Sequence, residues 1–369
     1  MTSASAPPRL ASLDVFRGMT LASMVLVNNP GSWSAIYPPL EHAAWDGWTF
    51  TDTVFPFFLW IVGVAMTLSF SKRVERGDPR GKLMLHVLRR AAIIFAIGLF
   101  LNGFPYFPFY RIRYPGVLQR IAICYLVAAF IFLFVKVRGI VLIAIALLVT
   151  YWMLMAFAPV PGCGAGSLTK DCNFARYVDS MALTGHMWSQ TKTWDPEGII
   201  STIPAIATAL LGVLMGYLVR SKMAPAEKST WMFVSGTVLL FAGSIMNHWL
   251  PINKNLWTSS YAVFMAGLAS VVFALCYWFV DVLGYRKWTR PFAIYGMNAI
   301  AVFILTGLIG RLLGILKVGD IGLGTWLFRT VFLPIASPIN ASLLYAIANV
   351  LFYFSIVYFM YRRNWFLRF

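Results

Sequence analysis

Residues 49–71 read TFTDTVFPFFLWIVGVAMTLSFS, and this stretch decides the fold class. Asp52 is its only charged residue. A helix of roughly 20 apolar residues crosses the hydrocarbon core of a bilayer, whereas a barrel strand is about half as long and alternates in polarity. Because the backbone polar groups of a segment in lipid must be satisfied internally, this run is predicted to be a transmembrane helix.

Comparable apolar runs recur along the whole chain. Of its 369 residues, 60% are hydrophobic and only 12% are charged, whereas soluble domains carry about 25% charged residues. We therefore predict an all-α, polytopic integral membrane helical bundle that forms a single domain over residues 1–369 and is surrounded by membrane lipids. About ten spans are predicted, at 13–30, 49–71, 87–104, 116–135, 139–158, 197–219, 229–249, 257–280, 291–313 and 341–361.

The charge balance bears on sidedness. The net charge is +17, which in so apolar a chain indicates basic cytoplasmic loops rather than a nucleic-acid partner. With both termini in the cytoplasm, 20 of the 30 Lys and Arg residues, Arg9 and Arg368 among them, lie in cytoplasmic segments, and nine lie opposite. We predict that orientation. The polar segment 1–8, followed by Asp14 and Arg17, is not typical of a cleavable signal peptide, so the first span is expected to remain.

Five segments are predicted to face the outside: 31–48, 104–114, 159–196, 250–257 and 314–340. The first four are rich in Trp, Tyr, Asn, His and Asp. Part of this aromatic content is expected to anchor the chain at the membrane interface. The last segment is Gly-rich with few charges, and it is predicted to be interfacial or re-entrant.

Two of the four cysteines, Cys124 and Cys276, fall within predicted spans. Cys163 and Cys172 share one outer segment, where an oxidising compartment permits a disulfide bond, and we predict that bond. The zinc spacings CxxC and HExxH do not occur, nor do the glycine patterns of nucleotide-binding loops, so no metal site is predicted.

Residues 27–58, VNNPGSWSAIYPPLEHAAWDGWTFTDTVFPFF, contain the densest group of polar side chains. Histidine is the side chain whose ordinary pKa lies nearest neutrality, which makes His42 a candidate proton carrier. Asp52 could orient it, and Asn28 could donate a hydrogen bond to a developing oxyanion. The alternative is an interfacial histidine and a helix-capping aspartate, and spacing alone leaves both interpretations open.

Seven short motifs give the chain a family resemblance. In order along the sequence they are RLASLDVFRG (9–18), HAAWDGWTFTDTVFPFF (42–58), PGVLQR (115–120), DPEGIISTI (195–203), PINKNLW (251–257), PFAIYGMNAI (291–300) and YRRNWF (361–366). In these motifs the chain resembles heparan-α-glucosaminide N-acetyltransferase and its bacterial relatives, the NagX-type transmembrane acetyltransferases.

The resemblance implies an activity, a location and catalytic residues. The activity is transfer of an acetyl group from cytosolic acetyl-CoA to the amine of a terminal glucosamine across the membrane. A homodimer in the bacterial inner membrane is the implied setting. His42 matches the family's catalytic histidine, Asn28 the adjacent asparagine and Asp52 the aspartate at the start of the second span, with Asn29 open as an alternative to Asn28.

Two mechanisms fit these residues. His42 can deprotonate the amine for direct attack on the thioester, or it can take the acetyl group itself and pass it on. We favour direct attack, because a general base avoids a labile acyl-imidazole.

Candidate binding residues follow from the predicted sidedness. Those expected to bind acetyl-CoA are Arg17, Arg89, Arg90 and Asn298. Those expected to bind the sugar are Trp45, Asp195, Glu197, Asn253, Lys254, Asn255 and Trp257. Positive-inside anchoring, helix capping and helix–helix hydrogen bonds are the ordinary alternatives for these residue types.

Two other functions remain open from the sequence. A transporter or flippase of sugars would suit many helices and polar groups at membrane depth, although no inverted repeat is evident. An O-acyltransferase of a surface glycan would use the same histidine and the same donor. Acetylated product made from acetyl-CoA separates chemistry from transport, and the choice between amine and hydroxyl acceptors separates the two transferases.

Overall fold

A computed structural model describes residues 10–367. Arg9, Arg368 and the polar segment 1–8, which entered the predictions above, lie outside the described residues. The helices are α1 Ala11–Asn28, α2 Val54–Glu75, α3 Arg80–Gly103, α4 Val117–Phe134, α5 Val137–Phe157, α6 Phe174–Ala182, α7 Thr202–Arg220, α8 Pro225–Met246, α9 Ser259–Tyr277, α10 Arg290–Met297, α11 Ala299–Ile315, α12 Leu323–Leu327 and α13 Pro338–Arg362.

The polytopic helical class is confirmed. Within residues 10–367, eight helices are long and apolar enough to cross a membrane, and the count is nine if α10 and α11 form one broken span. The first predicted span, 13–30, is the helix α1, but α1 is not one of the eight. Asp14, Arg17 and Asn28 make it less apolar than its neighbours.

The ninth predicted span, 291–313, is not one continuous helix. The chain bends by 76° between α10 and α11, at Asn298. The Asn298 side chain is buried there, where its Nδ2 donates to the Trp365 carbonyl oxygen (3.2 Å) and its Oδ1 accepts from the Leu367 backbone N–H (3.2 Å). The C-terminal segment therefore satisfies the amide that interrupts the helix.

Two predicted outer segments contain secondary structure of their own. Segment 159–196 contains α6, which Asn173 caps by accepting from the Arg176 backbone N–H (2.8 Å). Segment 314–340 contains the two-residue strands β1 Lys317–Val318 and β2 Ile321–Gly322, which pair antiparallel, then α12 and a π-helical turn, Phe328–Phe332.

Glycines allow close approach of helices at the centre of the bundle. A Cβ added to Gly63 of α2 would lie 2.0 Å from the Ala209 carbonyl oxygen of α7, and one on Gly212 would lie 2.1 Å from the Trp60 carbonyl oxygen. A Cβ on Gly18 of α1 would likewise lie 1.8 Å from a backbone oxygen of α10. Helices in membranes gain stability from such close contact, because lipid provides little hydrophobic drive for their association.

Residues 29–53, 104–116, 158–201 and 247–258 pack together at one end of the bundle, and we call them the loop cap. Trp45 Nε1 donates to the Leu168 carbonyl oxygen (3.0 Å), and the Gly47 backbone N–H donates to that of Ile252 (2.7 Å). The sulfurs of Cys163 and Cys172 are joined in a disulfide bond, with the two Cα atoms 5.9 Å apart.

The close contact between α2 and α7 makes a stability prediction. Gly63→Ala should lower the free energy of unfolding by about 1–3 kcal/mol, because the added methyl group has no space against the α7 backbone. Gly81→Ala in α3 is the matched control, since nothing lies within 4 Å of its added Cβ. Thermal unfolding of the detergent-purified variants measures both. A Gly63→Ala melting temperature equal to that of Gly81→Ala would contradict the packing described here.

Candidate active site

His42 and Asp52 form the centre of the candidate site. His42 Nδ1 lies 2.6 Å from Asp52 Oδ1, and Asp52 Oδ2 accepts from the backbone N–H groups of Ala43 and Thr49, each at 3.0 Å. A carboxylate that accepts from these donors favours a proton on His42 Nδ1, and in the neutral imidazole this leaves the lone pair on Nε2. Asp52 is 1% exposed and the His42 side chain is 51% exposed, so a fixed buried acid orients an accessible imidazole.

Local structure explains why Asp52 lies at this depth. It belongs to a short 3-10 turn, Phe50–Thr53, that leads into α2, and it forms a capping box with Thr49. Tyr261 of α9 donates its hydroxyl to the Asp52 backbone carbonyl (2.5 Å). The start of α2 is therefore fixed from both the loop cap and the bundle.

Lys254 completes the group. Its Nζ lies 3.0 Å from His42 Nδ1, 3.2 Å from His42 Nε2 and 3.5 Å from Asp52 Oδ1. Burial lowers the pKa of Lys254, and Asp52 and Glu197 oppose that shift only in part. The protonated form of Lys254 is thus less favoured than that of a solvated lysine.

A cavity of about 1320 Å³ connects this group with the opposite end of the bundle. Residues of the second span from Thr51 to Arg76 line it, and the middle is largely apolar, with Phe55, Phe58 and Ile61 on its wall. The 22 residues of α2 extend about 33 Å at ~1.5 Å per residue. The cavity therefore follows the whole length of a membrane-spanning helix.

The two ends of the cavity differ in chemistry. At the loop cap it is lined by Asn28, His42, Arg113, Trp188, Glu197, Lys254 and Asn255. The other end is lined by seven basic residues that we call the basic mouth: Arg17, Lys72, Arg73, Arg76, Arg90, Arg220 and Arg286. One end thus presents a titratable group with hydrogen-bonding side chains, and the other presents an excess of basic side chains, with Asp14 and Asp281 beside them.

The two asparagines at the end of α1 differ in their surroundings. Asn28 lines the cavity. Asn29 instead donates its Nδ2 to the Val25 carbonyl oxygen of its own helix (2.8 Å). Asn28 is therefore the better candidate for contact with a bound molecule.

The predicted sugar-binding residues separate into two groups. Glu197, Lys254 and Asn255 line the cavity together with His42. Trp45, Asp195, Asn253 and Trp257 do not, and they hold the loop cap together instead. Trp45 packs edge-on against Trp194 with the ring centroids 5.4 Å apart.

The other members of the second group are fully buried. Asn253 donates its Nδ2 to Asp46 Oδ1 (3.1 Å) and accepts from the Leu256 backbone N–H. Trp257 donates its indole N–H to Thr208 Oγ1 of α7 (3.2 Å). Both side chains fix the loop that presents Lys254 and Asn255.

The Arg113 guanidinium is held by two acidic side chains from the DPEG motif. Its Nε and Nη2 donate to Asp195, at 2.8 and 2.5 Å, and Nη2 also contacts Glu197. Burial opposes the charge, but Glu197 and Asp195 outweigh it and hold the pKa of Arg113 above its ordinary value. Asp195 is fully enclosed, whereas Glu197 borders the cavity.

Asp179 of α6 supports the same motif. Its carboxylate accepts from the backbone N–H groups of Asp195 (3.2 Å) and Ile199 (3.0 Å). Burial raises its pKa to about 6, against the lowering effect of these two hydrogen bonds.

Arg120 of α4 is buried behind the motif. Its Nη2 donates to the Gly198 carbonyl oxygen (3.2 Å) and contacts Ser201 Oγ, and its guanidinium lies 5.1 Å from the Trp257 ring centroid. It therefore joins the DPEG motif to the Lys254 loop. Trp188 and Asp179 were both missed by sequence reasoning, because only tertiary packing brings them to the DPEG motif and Arg113. The Arg113 guanidinium carbon lies 5.7 Å from the Trp188 ring centroid.

The residues predicted to bind acetyl-CoA also divide into two groups, those that line the cavity and those that do not. Arg17 and Arg90 are in the basic mouth, Arg89 is exposed outside it, and Asn298 binds the C-terminal segment. The other five members of the mouth, Lys72, Arg73, Arg76, Arg220 and Arg286, all lie in segments that the sequence predicts to be cytoplasmic. Within residues 10–367, no group of three or more His, Cys, Asp or Glu side chains is arranged to hold a metal ion.

Comparison with known proteins gives a consistent result. A family model described as heparan-alpha-glucosaminide N-acetyltransferase, catalytic, matches residues 9–243. The human heparan-alpha-glucosaminide N-acetyltransferase is 31% identical over 353 residues, which cover 81% of this chain and 52% of the human protein. The mouse protein of that name is 31% identical over 358 residues, 82% of this chain and 54% of its own. The chain spans about half the length of these curated relatives.

The acidic pair around Arg113 makes a second stability prediction. Asp195→Asn should lower the free energy of unfolding by about 3 kcal/mol, because it leaves a largely buried guanidinium short of charge compensation. Glu197→Gln, at the cavity edge, should cost less, because Asp195 still accepts both of its hydrogen bonds from Arg113. Thermal unfolding of the two isosteric variants provides the comparison. Equal destabilisation would show that Asp195 and Glu197 do not divide into a structural and a cavity-facing acid.

Proposed function

Because the chain belongs to the heparan-alpha-glucosaminide N-acetyltransferase family, we propose that it transfers an acetyl group from cytosolic acetyl-CoA to the amine of a glucosamine-type sugar on the far side of the membrane. The observation that carries the proposal is the single cavity with a His–Asp pair at one end and seven basic residues at the other. CoA then stays on the cytoplasmic side, and only its acetyl group passes to the loop cap.

In this proposal His42 is the general base. Its Nε2 takes a proton from the attacking nitrogen, while Asp52 holds Nδ1–H and stabilises the imidazolium that forms. Asp52 is suited to this because its other oxygen is already fixed by two backbone donors. The accessible imidazole supports direct attack on the thioester, although the same nitrogen would accept an acetyl group in the alternative mechanism.

Asn28 is the proposed oxyanion donor. A thioester carbonyl under attack becomes a tetrahedral oxyanion, and a side-chain amide N–H stabilises that charge. Asn28 lines the cavity from the end of α1, whereas Asn29 is bonded back to its own helix.

The basic mouth is the proposed site for the phosphates of acetyl-CoA. Within it Arg73 pairs with Asp78 (3.0 Å) and Arg220 pairs with Glu75, so acidic neighbours partly position these side chains. The excess of basic residues attracts a polyanion and holds it at this end. The apolar wall along α2 then accommodates the less polar arm of the molecule.

The loop-cap end of the cavity is the proposed acceptor site. Trp188 offers an aromatic face, Asn255 an amide and Glu197 a carboxylate, all of which suit a sugar with hydroxyl and amino groups. Asp195, Asn253 and Trp257 support this site from behind rather than contacting the sugar.

We further propose that both termini lie in the cytoplasm, that the protein is a homodimer, and that its location is a bacterial inner membrane. The excess of basic residues in the predicted cytoplasmic segments supports the orientation. The family resemblance supports the other two assignments.

A product assay with purified protein tests the proposal. Acetyl-CoA and glucosamine should yield N-acetylglucosamine, whereas N-acetylglucosamine offered as acceptor should take no further acetyl group. Acetylation of its hydroxyls would favour an O-acyltransferase, and absence of any product would contradict acetyl transfer to these sugars.

His42→Ala should lower turnover by a factor of about 10² to 10⁴, because it removes the general base. His248→Ala is the matched control, since His248 is exposed and does not line the cavity. The rate of acetylated product, measured by mass spectrometry at equal folded concentration, compares the two. Turnover by His42→Ala equal to that of the control would eliminate His42 as the base.

A further inference from the structure

The nitrogen of the acceptor must lose two protons in the proposed reaction. The inference drawn from this rests on the proposed function. The acceptor amine is present partly as an ammonium ion, which cannot attack. One proton must leave before attack, and a second must leave the nitrogen as the new C–N bond matures. The thiolate of CoA needs only one of them. One basic group can carry the second proton to sulfur, but the first requires another acceptor.

Lys254 is the second titratable group in contact with His42. Its Nζ lies 3.2 Å from His42 Nε2, the nitrogen that carries the lone pair. Both side chains line the cavity beside Asn255, so both are accessible to a molecule bound there. No other Lys or Arg among residues 10–367 has a hydrogen-bonding contact with His42.

We propose that Lys254 is a second proton carrier, which deprotonates the acceptor ammonium before His42 acts. The neutral Lys254 amine takes one proton from R–NH₃⁺. The resulting R–NH₂ attacks the thioester carbon, and its nitrogen gives a second proton to His42 Nε2. The C–S bond breaks, and His42 protonates the departing sulfur. Lys254 then releases its proton to water at the loop cap, so the balance is one amide, one thiol and one proton.

The surroundings of Lys254 suit this role. Asp52 faces it from the start of α2 and Glu197 from the DPEG motif, with Arg113 lining the same end of the cavity and Tyr261 of α9 bonded behind Asp52. Burial lowers the pKa of Lys254 despite the two acids. A lysine so placed is available as a neutral base at lower pH than an exposed one.

A purely electrostatic role is the alternative, and substitution by arginine separates the two. Arginine keeps the positive charge but does not release its proton in the physiological range. The variants are Lys254→Met, Lys254→Arg and the control Lys170→Met, which alters an exposed lysine of the loop cap. The measured quantity is kcat/KM for the acceptor as a function of pH.

For Lys254→Met and Lys254→Arg, kcat/KM should fall about tenfold per pH unit below the pKa of the acceptor amine, because only the free amine can react. For the unaltered protein and Lys170→Met, the midpoint should be set by groups of the protein and should not follow the pKa of the acceptor amine. A fluorinated glucosamine with a less basic amine should move the midpoint of the Lys254→Met profile to lower pH by its own difference in pKa. If the role of Lys254 were merely structural, the midpoint of the Lys254→Met profile would not follow the pKa of the acceptor amine.

Two results would overturn the inference while leaving the proposed function intact. One is a Lys254→Arg profile equal to that of the unaltered protein. The other is a Lys254→Met profile that is lower at every pH but unchanged in midpoint with both acceptors. Absence of acetylated product from the unaltered protein at any pH would instead overturn the proposed function, and this inference with it.

Discussion

The buried carboxylate of Asp52 is the constraint on which the candidate site depends. A charge at the start of an apolar membrane helix is costly unless donors surround it. Here the donors are His42, two backbone N–H groups, the Thr49 hydroxyl and, at 3.5 Å, Lys254. Satisfying this one carboxylate folds segment 42–49 over the end of α2. It also brings the loop that contains Lys254 to the same point, so the group that stabilises the fold also assembles the proposed catalytic residues.

The remainder of the bundle surrounds the cavity that leads from Asp52 and His42 to the basic mouth. Glycine contacts hold α2 against α7 on one side, and the opposite face of α2 borders the cavity along its length. The break at Asn298 lets α10 bend away from the direction of α11. Gly296 and Met297 of α10 therefore line the cavity close to Arg17 of the basic mouth. The closely packed helices α2 and α7 and the interrupted span α10–α11 thus form a wall that reaches from the basic mouth to the loop cap.

Much of this could be predicted from the sequence, because bilayer thickness and backbone hydrogen bonding leave few alternatives for long apolar runs. The grouping of His42 with Asp52 was also predictable, since both lie in one short segment. The separation of Glu197 from Asp195, or of Lys254 from Asn253, was not. Neighbours in an irregular loop face different ways, and only the tertiary contacts of Arg113 and Asp46 decide which side chain faces the cavity. The interruption at Asn298 was hidden for the same reason, because its partners lie almost 70 residues away.

Acetyl transfer through the cavity, as we propose it, places the two substrates on opposite sides of the membrane. Proteoliposomes with a single known orientation provide the test, with acetyl-CoA supplied only at the basic mouth and glucosamine only at the loop cap. N-acetylglucosamine should then appear on the glucosamine side and CoA on the other. If product forms only when both substrates share one side, transfer does not occur across the membrane, even if His42 is catalytic.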